Sequence, residues 1–143
     1  MQQKYCLGFI GAGNMAKAIA KGVLSGGLLQ ADQIIMTDLT KSNFEGIEIT
    51  DDNSRVFKEC KYIIFAIKPQ VFDAIADTLS GIQAEAIISI MAGKSVQKIK
   101  SATGVNHVVR VMPNFPCMIG KGMAAIAIND CPRQVNDFVL AVF

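Results

Sequence analysis

The feature that most constrains this chain is a glycine loop close to its start. Tyr5–Ile10 is an apolar run of strand length, and Gly11-Ala12-Gly13-Asn14-Met15-Ala16 follows it directly. From about Asn14 to Ser25 the apolar residues Met15, Ile19, Val23 and Leu24 recur at helical spacing, and Gly26-Gly27 ends the pattern. A strand, a G-x-G-x-x-A turn and a helix together make a dinucleotide-binding turn. Gly11 permits the tight bend, Gly13 lets backbone approach a pyrophosphate, and Ala16 is small enough for the helix to lie on a sheet. The N–H groups and positive dipole end of the helix then favour an anion.

The rest of the chain supports that start. Strand-like runs at Gln33–Thr37, Tyr62–Ile67, Ala86–Ile90, Val108–Met112 and Met123–Ile128 alternate with helical patterns. The helices are expected at Asn53–Glu59, capped by Asp51 or Asp52, then from Pro69 through Val71, Phe72, Ile75 and Leu79. Two more follow, Val96–Ser101 capped by Ser95, and one opened by Pro132 that carries Val135, Phe138 and Val139. Runs such as Ile63-Ile64-Phe65-Ala66-Ile67 are apolar at every position, which suits a parallel sheet covered on both faces. The expected fold is therefore α/β, a Rossmann-like doubly wound and mostly parallel sheet with right-handed crossovers. Residues 1–130 would form the NAD(P)-binding domain. Residues 131–143 would begin a helix leading to a second, helical domain.

Composition excludes several other classes. Apolar residues make up 51% of the 143 and charged residues 18%, with a net charge of +2, so disorder is not expected. The charges are scattered rather than gathered into a basic stripe, which argues against a nucleic-acid partner. No apolar run reaches the roughly 18 residues of a membrane span, so no membrane partner is expected, and neither the cysteines nor the acidic pairs have metal-ligand spacing, so no metal is expected. Cys6, Cys60, Cys117 and Cys131 form no C-x-x-C pair, which fits reduced thiols in a cytoplasmic protein.

Asp38 ends the second strand, about 20 residues beyond the loop, where an acid grips the adenosine ribose of NAD. Thr40, Lys41 and Ser42 follow at once and would receive a 2′-phosphate if Asp38 turned away, so NADH and NADPH both stay open. Lys68 lies at the end of a strand, where ligands bind in open sheets, and reads better as a cofactor-holding residue than as a catalytic one. His107 suits an edge role, and Arg110 suits pairing with a carboxylate.

Four segments in this order and spacing, Gly8–Ala16, Phe65-Ala66-Ile67-Lys68-Pro69-Gln70, Ser89-Ile90-Met91-Ala92-Gly93 and Arg110-Val111-Met112-Pro113-Asn114-Phe115-Pro116, resemble the N-terminal domain of pyrroline-5-carboxylate reductase. The resemblance covers essentially the whole chain. It implies reduction of the C=N bond of 1-pyrroline-5-carboxylate, a small-molecule substrate, to proline with NADPH or NADH. It also implies a helical domain that completes the substrate pocket and makes a homo-oligomer. On the same resemblance Ile10, Gly11, Ala12, Gly13, Asn14 and Met15 would meet the pyrophosphate, with Asp38 and Asn53 near the adenosine end. Ala66, Ile67, Lys68 and Pro69 would line the cofactor, Ile90, Met91 and Ala92 would lie nearer the nicotinamide, and Pro113 and Asn114 would border the reacting centre. No catalytic acid is assigned, because in that family a hydroxyl from the other domain assists the iminium. Met91, Phe115 and Gly93-Lys94 depart from the family pattern toward bulk or charge, which bears on substrate fit. Another imine or β-hydroxyacid reductase, or a non-catalytic nucleotide-binding module, is the alternative.

Overall fold

The computed structural model describes residues 3–39, 42–113, 124–127 and 131–143. Its sheet has the order β3-β4-β2-β1-β5-β6-β7-β8. The strands are β1 (Tyr5–Ile10), β2 (Ile34–Thr37), β3 (Ser42–Phe44), β4 (Ile47–Thr50), β5 (Cys60–Phe65), β6 (Ala86–Ser89), β7 (Val108–Pro113) and β8 (Ala124–Ala127). The six from β4 to β7 pair in parallel, and β3 and β8 close the two edges antiparallel. The helices are α1 (Asn14–Ser25), α2 (Asn53–Glu59), α3 (Pro69–Ile75), α4 (Val96–Thr103) and α5 (Arg133–Val142). This is the doubly wound sheet that the alternating pattern predicts.

The two faces have separate cores. Leu7, Phe9, Met36, Ile64 and Ile88 pack against Ala16, Ile19, Ala20 and Val23 of α1 and Val135 and Val139 of α5. Tyr62 also stacks on Phe138 of α5, with ring centroids 4.2 Å apart. On the other face Ile10, Ile35, Ile63, Phe65 and Ile87 pack against Val56 and Phe57 of α2, Phe72 of α3 and Ile99 of α4. Alternate residues of one strand thus serve opposite cores, which explains the unbroken apolar runs. The helix α1 has the expected bounds, and Ile19 and Val23 are buried as expected, but Ala16 and Ala20 complete the buried stripe, while Met15 and Leu24 are only partly buried. Small side chains let this helix approach the sheet.

Several boundaries differ from expectation for local reasons. The third expected strand, Tyr62–Ile67, occupies Cys60–Phe65, because its partner β1 ends at Ile10 where the chain bends at Gly11. The helix from Pro69 ends at Ile75, and a 3₁₀ turn, Ala76–Thr78, then carries Leu79 into the core. The helix capped by Ser95 runs two residues further than expected, to Thr103, and stops at left-handed Gly104 (φ 75°). The hairpin β3–β4 is absent from the sequence reading. Its turn has positive φ at both Glu45 (53°) and Gly46 (84°), and Asn43 Oδ1 accepts the Gly46 N–H at 3.0 Å. Among the described residues no helix is long and apolar enough to cross a membrane.

Candidate functional site

The strand order reverses between β1 and β5, and the carboxyl ends of these two strands form a crevice. The Ala66 N–H donates to the Ile10 carbonyl at 2.9 Å, so the segments leaving β1 and β5 start side by side. Gly11 has φ 106°, and a Cβ there would lie 2.7 Å from the Ala66 carbonyl oxygen. No other residue fits this turn without moving backbone. Gly13 is different: a Cβ there would meet no atom within 4 Å, so it faces open space. Gly13 also caps α1 without any side-chain cap hydrogen bond. The first N–H groups of that helix therefore have no side-chain acceptor at the cap.

A cleft of about 340 Å³ opens beside this turn, lined by Ile10, Gly11, Thr37, Asp38, Leu39, Asp51, Asn53, Ile67, Val71 and Ile75. Of the residues singled out in the sequence, Ile10, Gly11, Asp38, Asn53 and Ile67 meet here. The carboxyl end of β2 is held in place by two contacts. The Gly11 N–H donates to Thr37 Oγ1 at 3.1 Å, and the Asp38 N–H donates to the Thr50 carbonyl at 2.9 Å. Asp38 also accepts the Leu39 N–H on Oδ1 at 2.7 Å. Beside the cleft, Asp52 caps α2 through Ser54, whose N–H and hydroxyl both donate to its Oδ1 and hold the carboxyl below the usual aspartate range.

The other singled-out residues are not among those that line this cleft. Ala12 is buried in the α1 core, Asn14 is exposed at the first turn of α1, and Met15 is half-buried. Ala66 lies against Gly11. Lys68 is an exposed side chain at the cap of α3, and Pro69 opens that helix. Ile90 and exposed Ala92 flank the end of β6, and the Ile90 N–H donates to the Phe65 carbonyl at 3.2 Å. The Met91 side chain is 2% exposed and belongs to the core beneath α2, α3 and α4, so only its backbone remains for a ligand. Pro113 ends β7, while Asn114, Phe115, Cys117 and Met118 lie outside the described residues.

Some lining residues were missed by sequence reasoning. Thr37 and Asp51 left a signal, a hydroxyl and an acid bordering predicted elements. Of the apolar residues the helix from Pro69 carries, Phe72 faces the core, while Val71 and Ile75 line the cleft. Arg110 has no carboxylate partner among the described residues; its Nε is buried without a hydrogen bond, and Nη2 lies 4.0 Å from Met112 Sδ. His107 lines a separate pocket with Glu85, Pro132, Gln134 and Val135. Burial pushes the Cys60 thiol up to about 12, so it is an inert packing group beneath Gly8.

This geometry fits a dinucleotide. The open space at Gly13 and the uncapped start of α1 suit a pyrophosphate, and the carboxylates and Asn53 at the far end suit ribose hydroxyls.

Comparison with known proteins agrees. Residues 6–93 match the family described as NADP oxidoreductase coenzyme F420-dependent. Pyrroline-5-carboxylate reductase 3 of Mus musculus is 33% identical over 135 residues, which span 89% of this chain and 49% of that protein. The pyrroline-5-carboxylate reductase of Arabidopsis thaliana is 29% identical, over 98% of this chain and 54% of that protein. A crystal structure of Plasmodium falciparum pyrroline carboxylate reductase with NADP bound superposes with a TM-score of 0.86 at 24% identity, covering 100% of this chain and 55% of that one. At this identity the likeness shows the fold. The chain spans about half the length of the curated relatives it matches. A match over residues 6–93, which include the glycine turn and the crevice, makes this chain a member of the NADP oxidoreductase coenzyme F420-dependent family, similar over most of its length to about half of the pyrroline-5-carboxylate reductases.

Proposed function

We propose that this chain is the cofactor-binding part of an NAD(P)H-dependent oxidoreductase that reduces the C=N bond of 1-pyrroline-5-carboxylate to L-proline. The observation that carries the reading is the crevice itself: Gly11 pressed against Ala66, Gly13 facing open space, and acids at the ribose end. The four sequence segments and the similarity to pyrroline-5-carboxylate reductases then supply the substrate.

When bound, the reduced nicotinamide supplies the hydride. This chain's residues bind and orient. The N–H groups of Gly13, Asn14 and Met15 would receive the pyrophosphate, with Asp38 and Asn53 at the adenosine ribose. The backbone at Ala66–Pro69 and Ile90–Ala92 would form the walls toward the nicotinamide, and Pro113 and Asn114 would border the substrate. In this reading residues 1–130 are the cofactor domain and residues 131–143 lead toward the remainder of the enzyme. Cytoplasmic residence, independence of nucleic acid and membranes, and homo-oligomerisation through that remainder belong to the same proposal.

The test is the reaction. Residues 1–143 are joined to the complementary half of a pyrroline-5-carboxylate reductase and supplied with 1-pyrroline-5-carboxylate and NADH or NADPH. Proline forming in step with nucleotide oxidation is the expected result. A folded protein that binds the nucleotide and forms no proline contradicts the substrate assignment.

A further inference from the structure

The helix α3 has seven residues, too few to hold a position of its own, so its place depends on what it packs against. Pro69 opens it, and Phe72 is fully buried and meets the Phe65 ring edge-on, with centroids 5.8 Å apart. At about 3.6 residues per turn, positions 71 and 75 share one side of the helix and position 73 lies on the other. Val71 and Ile75 line the cleft beside the glycine turn. Asp73 is bound by Lys94 of the turn after β6. The helix thus presents a cleft wall on one side and an ion pair on the other.

That pair differs from an ordinary surface contact. Lys94 is buried, with Nζ 2.5 Å from Asp73 Oδ1 and 5.9 Å from the centroid of the Phe72 ring. Lys98 reaches the same carboxylate oxygen at 3.3 Å, but from an exposed position. An exposed pair contributes little, whereas a buried ammonium that loses its counter-charge is costly and moves to water. Without Asp73, Lys94 would leave its seat against Phe72. Without the Lys94 charge, α3 would lose the polar grip on the side away from the cleft. We propose, on the dinucleotide-binding reading above, that Lys94 is a positioning residue for the cleft. By holding Asp73 it fixes the rotation of α3 about the Phe72 anchor, and through α3 it places Val71 and Ile75 against the nucleotide. Lys94 itself does not line the cleft, so it acts without touching the ligand there.

The experiment is a calorimetric titration of the 143-residue chain and its variants with NADH and with NADPH, at a temperature where circular dichroism shows each variant folded. Lys94→Met keeps an apolar stem against Phe72 and removes the charge; it should weaken nucleotide binding by about fivefold. Lys98→Met, at the exposed edge of the pair, should stay within about twofold of the parent. In a Val71→Ala/Ile75→Ala background the same Lys94→Met change should cost less than about twofold, because the side chains that Lys94 places are gone. Asp73→Asn, made on the half-exposed partner, gives the same comparison should Lys94→Met fail to fold. Equal losses in the two backgrounds would mean a general structural role and would overturn the proposal. A Lys94→Met chain that binds as the parent does would also overturn it, while leaving the dinucleotide reading intact. Binding of neither nucleotide by the parent overturns both.

Discussion

The turns that leave β1 and β6 both lie at the carboxyl edge of the sheet, and they are built in opposite ways. The β1 turn is kept empty. Gly11 is pressed against Ala66, Gly13 has nothing within 4 Å of its missing side chain, and Ala12 is the only buried side chain between them. The β6 turn is filled and clamped. Met91 drops into the core, and Lys94, only 7% exposed, pairs with Asp73 of α3 at 2.5 Å while lying over the Phe72 ring. The first turn carries small side chains and leaves open space at Gly13. The second ties the end of β6 to α3. An open turn and a filled, clamped turn thus stand on one sheet edge, distinguished by the size of the side chains they carry.

This contrast is open to direct attack, and the largest effect is expected at Gly11. Gly11→Ala combines a positive φ with a Cβ against carbonyl oxygen, and should cost about 4 kcal/mol of stability in denaturant unfolding. Met91→Ala comes next. It removes a buried side chain from the filled turn and should cost about 3 kcal/mol, while dinucleotide affinity of the folded fraction changes little.

Gly13→Ala reverses that pattern. With nothing to collide with, it should lower stability by no more than about 1 kcal/mol, the ordinary difference at a helix cap. Dinucleotide affinity should fall by about thirtyfold, or about 2 kcal/mol, because the methyl group occupies the space the pyrophosphate needs. A Gly13→Ala chain that binds as before would mean that this open space is not the phosphate site.

The smallest effect concerns pH. The Lys94 ammonium, hydrogen-bonded to Asp73, holds that carboxyl below its usual range, and Lys98 adds to this. A lowered carboxyl stabilises the fold above its ordinary value near 4 and loses that contribution as pH falls through the lower folded value. The melting-temperature difference between the parent and Asp73→Asn should therefore be flat near neutrality and vanish in acid. A difference that grows in acid would show that the pair does not clamp the turn.

Much of this architecture was legible in the sequence because its signals are local. The bounds of α1 follow from an apolar repeat and a glycine stop, and the caps Asp52 and Ser95 sit where short acceptors precede helices. The hairpin β3–β4 was not legible. Ile47-Glu48-Ile49-Thr50 alternates, but the strand is only four residues long and its turn uses Glu45 at positive φ, a position more often filled by Asn or Gly. At the candidate site, the spacing picked out Gly11 and Asp38, which the fold brings to one cleft. Thr37, Asp51 and Val71 were not picked out, because only the folded sheet brings the ends of β2, β4 and β5 around one cleft. Met91 shows the converse, a residue beside the site in sequence whose side chain the fold sends into the core.

In the proposed reading the turn after β1 holds the dinucleotide. Its most direct test is an amide nuclear magnetic resonance titration of the ¹⁵N-labelled chain with NADH. Shifts are expected to concentrate at Gly11, Gly13, Asn14, Thr37 and Asn53, with the amides of α5 and of the Glu85–His107 pocket unmoved. Shifts centred on that second pocket, with the glycine turn silent, would contradict it.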